Sequence, residues 1–310
     1  MTALICGSFA YDTIMVFHDR FKNHILPEQV HILNVSFLVP DMRREFGGCA
    51  GNIAYNLQLL GGDGLPMGTV GGDFGPYARW MAENGISRKH VTEVAGEYTA
   101  QAYITTDQDD NQITAFHPGA MNHAHINRVE QAQGVTLGLV SPDGRQGMID
   151  HAEQFAAAGI PFIFDPGQGM PMFDGDELNR FADQATWLAF NDYEAKLMQE
   201  RTGKRIEELA RQVEAVIVTQ GGEGSRIFAD GGEIEIPAAR AERLEDPTGC
   251  GDAYRAGLLY GLQKGLDWET TGRIAALMGA IKIERAGTQN HRFTMEEFHH
   301  RFRENFGYDF

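Results

Sequence analysis

The stretch ATWLAFNDYEAKLMQERTG, residues 185–203, contains the unit on which the predicted fold depends. The run ATWLAFN is largely apolar up to Asn191, and DYEAKLMQER continues with a helical pattern that stops before Gly203. A continuous rather than alternating apolar run indicates a strand covered on both faces, as in a parallel sheet. A glycine just past a helical pattern is a stop signal, because glycine adopts the left-handed conformation at no steric cost.

The same strand-to-helix unit recurs along the chain. The other apolar runs are ALICGS (3–8), LPMGTVG (65–71), VTLGLVS (135–141), IPFIFD (160–165) and EAVIVTQ (214–220). The helical patterns between them are GNIAYNLQLL (51–60), PYARWMAEN (76–84) and GMIDHAEQFAAA (147–158). Strands that alternate with helices predict an α/β fold, with a doubly wound and mostly parallel sheet flanked by helices.

Two regions, 13–46 and 95–118, break this alternation because no helical pattern separates their strand-like runs. The runs are TIMVF (13–17), HILNVSFLV (31–39), TAQAYITTD (99–107) and QITAFHP (112–118), with a polar turn at 109–111. They predict a small β-sheet that serves as a lid, or as an extension used only for dimer contacts. The expected division is an α/β domain of 1–12, 47–94 and 119–310, and a lid of 13–46 and 95–118.

The composition limits the classes of partner. The 310 residues carry 26 Lys and Arg against 43 Asp and Glu, a formal net charge of −17, which argues against nucleic acid and against an anionic membrane. No apolar run approaches the ~20 residues of a membrane span, and MTALICGSF lacks the features of a signal peptide. Cys6, Cys49 and Cys250 form no CxxC motif, so we expect reduced thiols in a cytoplasmic protein.

Polar residues and glycines follow several of the predicted strands. They are Ser8, Asp12, Asp165, Gln168, Asn191, Glu194, Thr219, Gly221 and Gly224. In open α/β sheets, ligands bind beyond the carboxyl ends of the strands. One such residue is more often a cap than a ligand, but several along one edge predict a site.

The segment GGCAGNIAYN (47–56) opens a helix without charged residues. Gly47 and Gly48 allow a ligand to approach the backbone closely, and Asn52 offers both a donor and an acceptor. A polyhydroxyl ligand would suit this arrangement. A tight turn with Asn52 as a first-turn cap is the alternative.

The segment DPTGCGDAYRAG (246–257) is the more specific of the two. Gly249, Cys250 and Gly251 place successive N–H groups at a helix start, where the helix dipole favours an anion. The same dipole should keep Asp252 ionised at neutral pH. A carboxylate beside an anion hole suits phosphoryl transfer, because it can accept the proton of a hydroxyl while the N–H groups hold the transferred group. No GxxxxGK[ST] motif occurs, so this is not a Walker P-loop.

Together these two segments resemble the two signatures of the ribokinase-like (PfkB) carbohydrate kinase family. NDYE (191–194) is similar to that family's Asn-x-x-Glu motif and VTQGGEGS (218–225) to its nucleotide-binding loop, so the resemblance covers essentially the whole chain. GSFAYDTIM, ILPEQVHILNVSFLVPD, FHPGAM and AGTQ are most similar to bacterial adenosine kinases of the actinobacterial type.

The resemblance implies a role for each matching residue. Asp252 would be the catalytic base, and Gly249, Cys250 and Gly251 would form the anion hole. The substrate-binding residues would be Ser8, Asp12, Ser36, Gly48, Asn52, Phe116 and Gln168, with Phe116 stacking on the base. Mg-ATP would contact Asn191, Glu194, Thr219, Gly221 and Gly224, with Glu194 near magnesium, directly or through water. Asp246, Thr248 and the loop 285–289 would hold a monovalent cation, K+.

Three features depart from the family pattern. Sugar kinases of the family carry a DPNxR-like segment where this chain has DPGQGMPMF (165–173). Cys250 replaces a small aliphatic residue, and a thiol at a helix start can be unusually reactive. Ala102 stands where adenosine kinases carry an aromatic lid residue, and Tyr103 should point to the other face of its strand.

The expected function is ATP-dependent phosphorylation of the primary 5′-hydroxyl of a ribonucleoside, with adenosine to AMP as first choice. The alternatives are a kinase of another nucleoside or of a free sugar such as ribose or fructose, and a non-catalytic nucleoside-binding protein. The expected partners are small molecules, a nucleoside or sugar and ATP. A homodimer formed through the lid is also expected, because exposed sheet edges favour pairing.

Overall fold

The computed structural model describes residues 1–25, 34–109 and 111–310. Its strands are β1 (Thr2–Cys6), β2 (Ala10–Val16), β3 (Asp41–Gly47), β4 (Gly64–Val70), β5 (His90–Glu93), β6 (Ala100–Thr106), β7 (Gln112–His117), β8 (Val135–Val140), β9 (Phe162–Phe164), β10 (Trp187–Asn191), β11 (Ala215–Thr219), β12 (Ser225–Ala229) and β13 (Gly232–Ile236). Its helices are α1 (Cys49–Leu59), α2 (Gly75–Glu83), α3 (Arg145–Ala158), α4 (Gly175–Gln184), α5 (Asp192–Thr202), α6 (Ile206–Leu209), α7 (Cys250–Lys264), α8 (Trp268–Ile283) and α9 (Met295–Phe306).

A large mixed sheet forms the centre of the molecule, with the strand order β13-β12-β11-β10-β9-β8-β1-β4-β5. From β5 to β11 every neighbouring pair is parallel, and only the pairs β11–β12 and β12–β13 at one edge are antiparallel, so β12 alone runs against the other strands. The predicted α/β class with a mostly parallel, helix-flanked sheet is therefore confirmed.

Both faces of this sheet are covered, which explains the continuous apolar runs. In β1, Ala3 and Ile5 pack into one buried cluster that includes residues of α1, α7 and α8. Leu4 and Cys6 pack into a second cluster with residues of α3 and α4 on the opposite face. Successive side chains of a strand point to opposite faces, so a strand between two helical layers must be apolar at every position.

A separate small sheet has the strand order β3-β2-β6-β7. It joins the large sheet closely, since β2 begins at Ala10, four residues after the end of β1, and β3 ends at Gly47, two residues before the start of α1 at Cys49. The prediction of a strand over HILNVSFLV was wrong for residues 34–39, which form neither helix nor strand, while residues 31–33 lie outside the described residues. The strand is 41–47 instead, because Asp41–Gly47 pairs along its whole length with β2.

The structure adds elements that the sequence patterns did not predict. These are the short strand β5, the antiparallel pair β12 and β13, and the helices α4, α6 and α9. Glu233 and Glu235 are both exposed in β13, so this edge strand lacks the continuous apolar run used as a signal. No helix in the described part of the chain is long and apolar enough to cross a membrane.

Candidate active site

The N-terminus of helix α7, which carries Asp252 in its first turn, is the starting point of the candidate site. Its N-cap, Gly249, has a φ of 81°, and a Cβ there would lie 3.1 Å from the Cγ2 of Thr288, so a side chain would be strained and crowded. The following helix is buried from Ala253 to Gly261, which fixes its N-terminus in place. The N–H of Cys250 donates to the carbonyl of Pro247 (3.1 Å), whereas those of Gly249 and Gly251 have no partner within the described residues.

Asp252, in the first turn of α7, is linked by hydrogen bonds to distant parts of the chain. The Nδ2 of Asn52 donates to its Oδ2 (2.8 Å), and the Oδ1 of Asn52 accepts from the Nε2 of Gln289 (2.9 Å). The same Nε2 contacts the hydroxyl of Tyr77 (2.6 Å), which donates to the carbonyl of Gly47 (2.9 Å). The network connects α7, α1, α2 and the end of β3 in the small sheet.

The pKa of Asp252 is raised from its usual 3.8 to about 6. Burial is the largest cause, and the carboxylate of Asp165 adds to it, while the hydrogen bond from Asn52 and the charge of Arg255 act in the opposite direction. The sequence had suggested that the helix dipole alone would hold this group ionised. A carboxyl group with this pKa is mostly ionised at pH 7 but titrates close to it, which suits general base chemistry.

A buried ion pair lies beneath Asp252. The Nε of Arg255 donates to Oδ2 of Asp165 (3.0 Å) and its Nη2 donates to Oδ1 (3.1 Å), with 5% and 8% of the two side chains exposed. The Nη1 of Arg255 has no partner within the described residues, although it is buried. This pair connects the end of β9 to α7 and brings positive charge close to a group of carboxylates.

The glycines of the 47–56 segment permit the chain to pass very close to β2. A Cβ on Gly47 would lie 2.6 Å from Oδ2 of Asp12, and one on Gly48, whose φ is 86°, would lie 2.5 Å from the carbonyl of Ser8. Ser8 is buried, and its Oγ accepts from the N–H of Cys49 (3.2 Å). Ser8, Asp12 and Gly48 therefore lie close together, and the N–H of Asn52 donates to the carbonyl of Gly48 (2.9 Å). The family resemblance had grouped these four residues as substrate-binding, and that role stays a prediction.

Asp12 has a perturbed carboxyl group. Burial, together with the nearby carboxylates of Glu45 and Asp246, raises its pKa to about 6. Glu45 is its partner across the β2–β3 pair. An acidic side chain in this position can accept hydrogen bonds from the hydroxyl groups of a sugar.

Three predicted substrate-binding residues are exposed in this structure. Phe116 is 53% exposed on the edge strand β7, opposite Ala102 of β6. Ser36 is exposed in the segment 34–40, and Gln168 is exposed in the turn after β9. No hydrogen bond within the described residues joins them to Asp12 or Asn52, so their role stays a prediction.

Asn191 and Glu194 form a capping box at the start of α5. The N–H of Glu194 donates to Oδ1 of Asn191 (2.7 Å), and the N–H of Asn191 donates to Oε2 of Glu194 (2.8 Å). Burial and the nearby Asp165 raise the pKa of Glu194. The Asn-x-x-Glu motif thus has a local structural role, and it also holds a carboxylate close to Asp165 and Arg255.

The predicted nucleotide loop follows β11. Thr219 ends this strand and its hydroxyl donates to the carbonyl of Phe190 (3.3 Å). Gly221 has a φ of 58° in open surroundings, whereas Gly224 has a φ of 96° and a Cβ there would lie 2.1 Å from the carbonyl of Ile236. Both glycines are therefore required by backbone conformation, and Gly224 also by space.

The residues fit a magnesium ion brought in by a nucleotide. The described residues contain no group of three or more His, Cys, Asp or Glu side chains that could hold a metal by themselves. Mg²⁺ usually keeps several waters and binds through one or two carboxylates and the phosphates of its substrate. Glu194, whose pKa reflects the nearby Asp165, would suit such a site.

The loop predicted for a monovalent cation has a different arrangement. The carboxylate of Asp246 accepts from the N–H groups of Thr248 (2.9 Å) and Gly287 (2.8 Å). The ammonium of Lys282 donates to the backbone carbonyls of Asp246 (2.7 Å) and Arg285 (3.1 Å). A fixed positive charge therefore lies in the loop where a free cation was expected, and the fit for potassium is poor.

The thiol of Cys250 does not have the features of a reactive cysteine. Burial raises its pKa to about 11, although the charge of Lys282 acts against this change. The thiolate is the nucleophilic form, so little of it exists at neutral pH. The expectation of unusual reactivity at this helix start is not supported by its surroundings.

Sequence reasoning did not select several residues that the structure places at the site. They are Tyr77, Arg255 and Lys282. Arg255 had one signal, because it is the single charged residue in an otherwise uncharged stretch from 253 to 262. Tyr77 had none, since ordinary polar residues in a helix are common. Gln289 was expected only as the end of the cation loop 285–289, whereas the structure joins it to Asn52.

Comparison with known proteins gives consistent results. A family model described as pfkB family carbohydrate kinase matches residues 10–294. The structure of a nucleoside kinase from Burkholderia thailandensis in complex with inosine is 55% identical, with 99% of each chain covered and a TM-score of 0.90. A structure of that enzyme in complex with ADP-inosine is 56% identical and has a TM-score of 0.88, covering 99% of this chain and 97% of the other. The nucleoside kinase of Methanocaldococcus jannaschii is 31% identical over 266 residues, which are 85% of this chain and 87% of that protein.

Proposed function

The chain belongs to the pfkB family of carbohydrate kinases, and we propose that it transfers the γ-phosphoryl group of ATP to the 5′-hydroxyl of a ribonucleoside. The observation that carries this proposal is the position of Asp252. It lies in the first turn of a buried helix and is held by Asn52, next to the N–H groups of Gly249 and Gly251, which have no partner in the part of the chain that the structure describes.

In the proposed reaction the 5′-oxygen forms a bond to the γ-phosphorus, and the bond between that phosphorus and the oxygen of ADP breaks. The proton of the hydroxyl moves to the carboxylate of Asp252. Because its pKa is about 6, Asp252 is ionised and ready to accept that proton at pH 7. Most of the acceleration comes from positioning and from the N–H groups that face the transferred group.

The nucleotide is placed by the edge formed by β10 and β11. Asn191, Glu194, Thr219, Gly221 and Gly224 are proposed as its contacts, since they follow neighbouring parallel strands whose ends meet on one side of the sheet. Magnesium, when bound with ATP, would neutralise the phosphate charge, with Glu194 as the nearest proposed ligand. A requirement for K+ is not favoured, because Lys282 already supplies a positive charge to the loop.

Adenosine and inosine are both proposed as substrates. The sequence resemblance favoured adenosine, while the nucleoside kinase of Burkholderia thailandensis was solved with inosine. Asp12 and Asn52 would hold the ribose hydroxyls, which all ribonucleosides share. Ala102 is small and Phe116 is half exposed, so the base meets one aromatic face rather than two. Weak contact with the base is consistent with acceptance of more than one purine.

The small sheet is proposed as a lid over the nucleoside. Two of its strands contribute to the proposed site: Asp12 lies in β2, and β3 ends at Gly47, which is followed by Gly48. Tyr77 connects the carbonyl of Gly47 to Gln289, and Gln289 is bonded to Asn52. Movement of the small sheet would therefore change the position of Asn52 and, through it, of Asp252. Closure of such an element over substrate excludes water from phosphoryl transfer. Protease cleavage within 95–118 should slow when a nucleoside is added, and unchanged cleavage would count against closure.

The experiment compares the wild-type protein with Asp252→Asn on adenosine, inosine, guanosine, ribose and fructose, with ADP release as the readout. We expect activity on the nucleosides, a loss of about 10²–10⁴-fold in kcat for Asp252→Asn, and a nucleoside Kd that stays within a few-fold. Asp183→Asn removes the same charge at an exposed position of α4 and serves as the control.

Two outcomes would favour the alternatives. Activity on ribose or fructose without activity on any nucleoside would mean a sugar kinase. Nucleoside binding without turnover by the wild-type protein, with every nucleotide donor supplied, would mean a binding protein on a kinase scaffold.

A further inference from the structure

Lys282 is a fully buried charge near the end of α8. Its exposed fraction is 0%, and its Nζ donates to the carbonyls of Asp246 (2.7 Å) and Arg285 (3.1 Å). Lysine is almost never fully buried unless its ammonium is paired or hydrogen-bonded. The two carbonyls therefore fix one positive charge at a defined point between the segment 245–249 and the loop 285–289.

These carbonyls belong to the loops in which a monovalent cation was expected. Potassium ions in proteins are held by backbone carbonyl oxygens, which replace the water around the ion. An ammonium carries the same charge and binds carbonyl oxygens by donation. The carboxylate of Asp246 is itself fixed in this loop, since its two oxygens each accept from a backbone N–H group, those of Thr248 and Gly287.

The loops that Lys282 ties together support the anion hole. A Cβ on Gly249 would touch the side chain of Thr288 at 3.1 Å, so the loop 285–289 packs directly against the N-cap of α7. On α8, a Cβ on Gly279 would lie 3.7 Å from the carbonyl of Cys250. A shift of either loop would move the N–H groups that face the phosphoryl group.

We propose that the ammonium of Lys282 is a built-in substitute for a monovalent cation, and that it positions the anion hole so that the protein needs no potassium. Lys282 is a positioning residue, because the hydrogen bonds of its ammonium within the described residues go to carbonyls of the two loops and not to the reacting atoms. The catalytic part of this inference rests on the proposed kinase function, whereas the structural part does not.

The first test measures wild-type kinase activity in chloride salts of K+, Na+, NH4+ and choline at one ionic strength. We expect kcat/KM to agree within about twofold in all four salts, since choline is too large for a carbonyl site. A loss of tenfold or more in choline, with recovery in K+, would overturn the proposal.

The second test uses Lys282→Ala, which removes the ammonium and leaves the carbonyls. We expect a loss of at least tenfold in choline chloride and a substantial recovery in KCl or NH4Cl, with saturation as the salt is raised. Lys264→Ala removes an exposed lysine at the other end of α7 and should respond to no cation. A folded Lys282→Ala protein with the same low activity in every salt would contradict the proposal, because general destabilisation is not repaired by one kind of ion.

Thermal unfolding provides a readout that does not need catalysis. A ligand that binds only the folded state raises the midpoint of unfolding in proportion to the logarithm of its concentration. We expect K+ to raise the Tm of Lys282→Ala by about 2 °C or more over choline, and to leave that of the wild-type protein unchanged. If no nucleoside is phosphorylated, this response still decides the role of Lys282. If Lys282→Ala does not fold in any salt, Lys282→Gln is measured instead. Whatever the variants show, a Tm of the wild-type protein that depends on K+ would overturn the proposal.

Discussion

Replacement of Asn52 by alanine is expected to move the pH dependence of the proposed reaction. Asn52 is 4% exposed and donates to the carboxylate of Asp252 at 2.8 Å. A hydrogen bond to a charged group contributes about 1.5–3 kcal/mol. One pKa unit corresponds to about 1.4 kcal/mol. Loss of this donor should therefore raise the pKa of Asp252 from about 6 by one to two pH units.

The sign follows from the role of the carboxylate. Only ionised Asp252 can accept the proton, so kcat/KM increases with pH through the pKa and is constant above it. The groups that act on this pKa in the wild-type protein are Asp165, Arg255, Cys49 and Asn52, and only the last one changes in the variant. The midpoint of the acid limb should move from near pH 6 to about pH 7–8.

The assay is kcat/KM for a nucleoside from pH 5 to pH 9, measured by ADP release, because this parameter reports the pKa of the free enzyme. Gln58→Ala, at an exposed position of α1, is the control and should keep the wild-type midpoint. Asn52→Ala is also expected to raise KM, through lost contact with the ribose. An unchanged midpoint in a folded Asn52→Ala protein would refute the view that Asn52 tunes Asp252.

The remaining predictions concern stability and assembly. Arg255→Met leaves the carboxylate of Asp165 buried without its partner and should lower the free energy of unfolding, measured in urea, by about 3–5 kcal/mol. Arg88→Met, at an exposed position, is the control. A change below about 1 kcal/mol for Arg255→Met would contradict this prediction. We also expect a homodimer formed through the small sheet, because apolar side chains are exposed on this sheet and on the segment before β3: Leu38 (84%), Met42 (69%), Ile113 (44%) and Phe116 (53%). Sedimentation should then give about 69 kDa, twice the chain mass of 34.3 kDa. A species of 34.3 kDa at all micromolar concentrations would exclude the dimer.

The class of fold could be predicted because its signals are local. Apolar runs and glycine stops found the strands β1, β4 and β8–β11 and most of the helices between them. The pattern failed where tertiary pairing overrides composition. Asp41–Gly47 contains four charged residues and is a strand because it pairs with β2, whereas the apolar residues 35–39 are not. Strand preference depends on the neighbouring strand more than on the residues themselves.

By itself the sequence determined that Asp252 stands at a helix start behind flexible glycines, because capping and turn signals extend over only a few residues. The tertiary structure decided what surrounds that carboxylate. Asn52 lies 200 positions from Asp252, and Gln289 lies 237 positions from Asn52, so only folding brings them within hydrogen-bond distance. Burial then moved the pKa of Asp252 towards neutrality. Lys282 is an ordinary helix residue in the sequence. Folding places its ammonium between two loop carbonyls, where we propose that its charge replaces that of a monovalent cation.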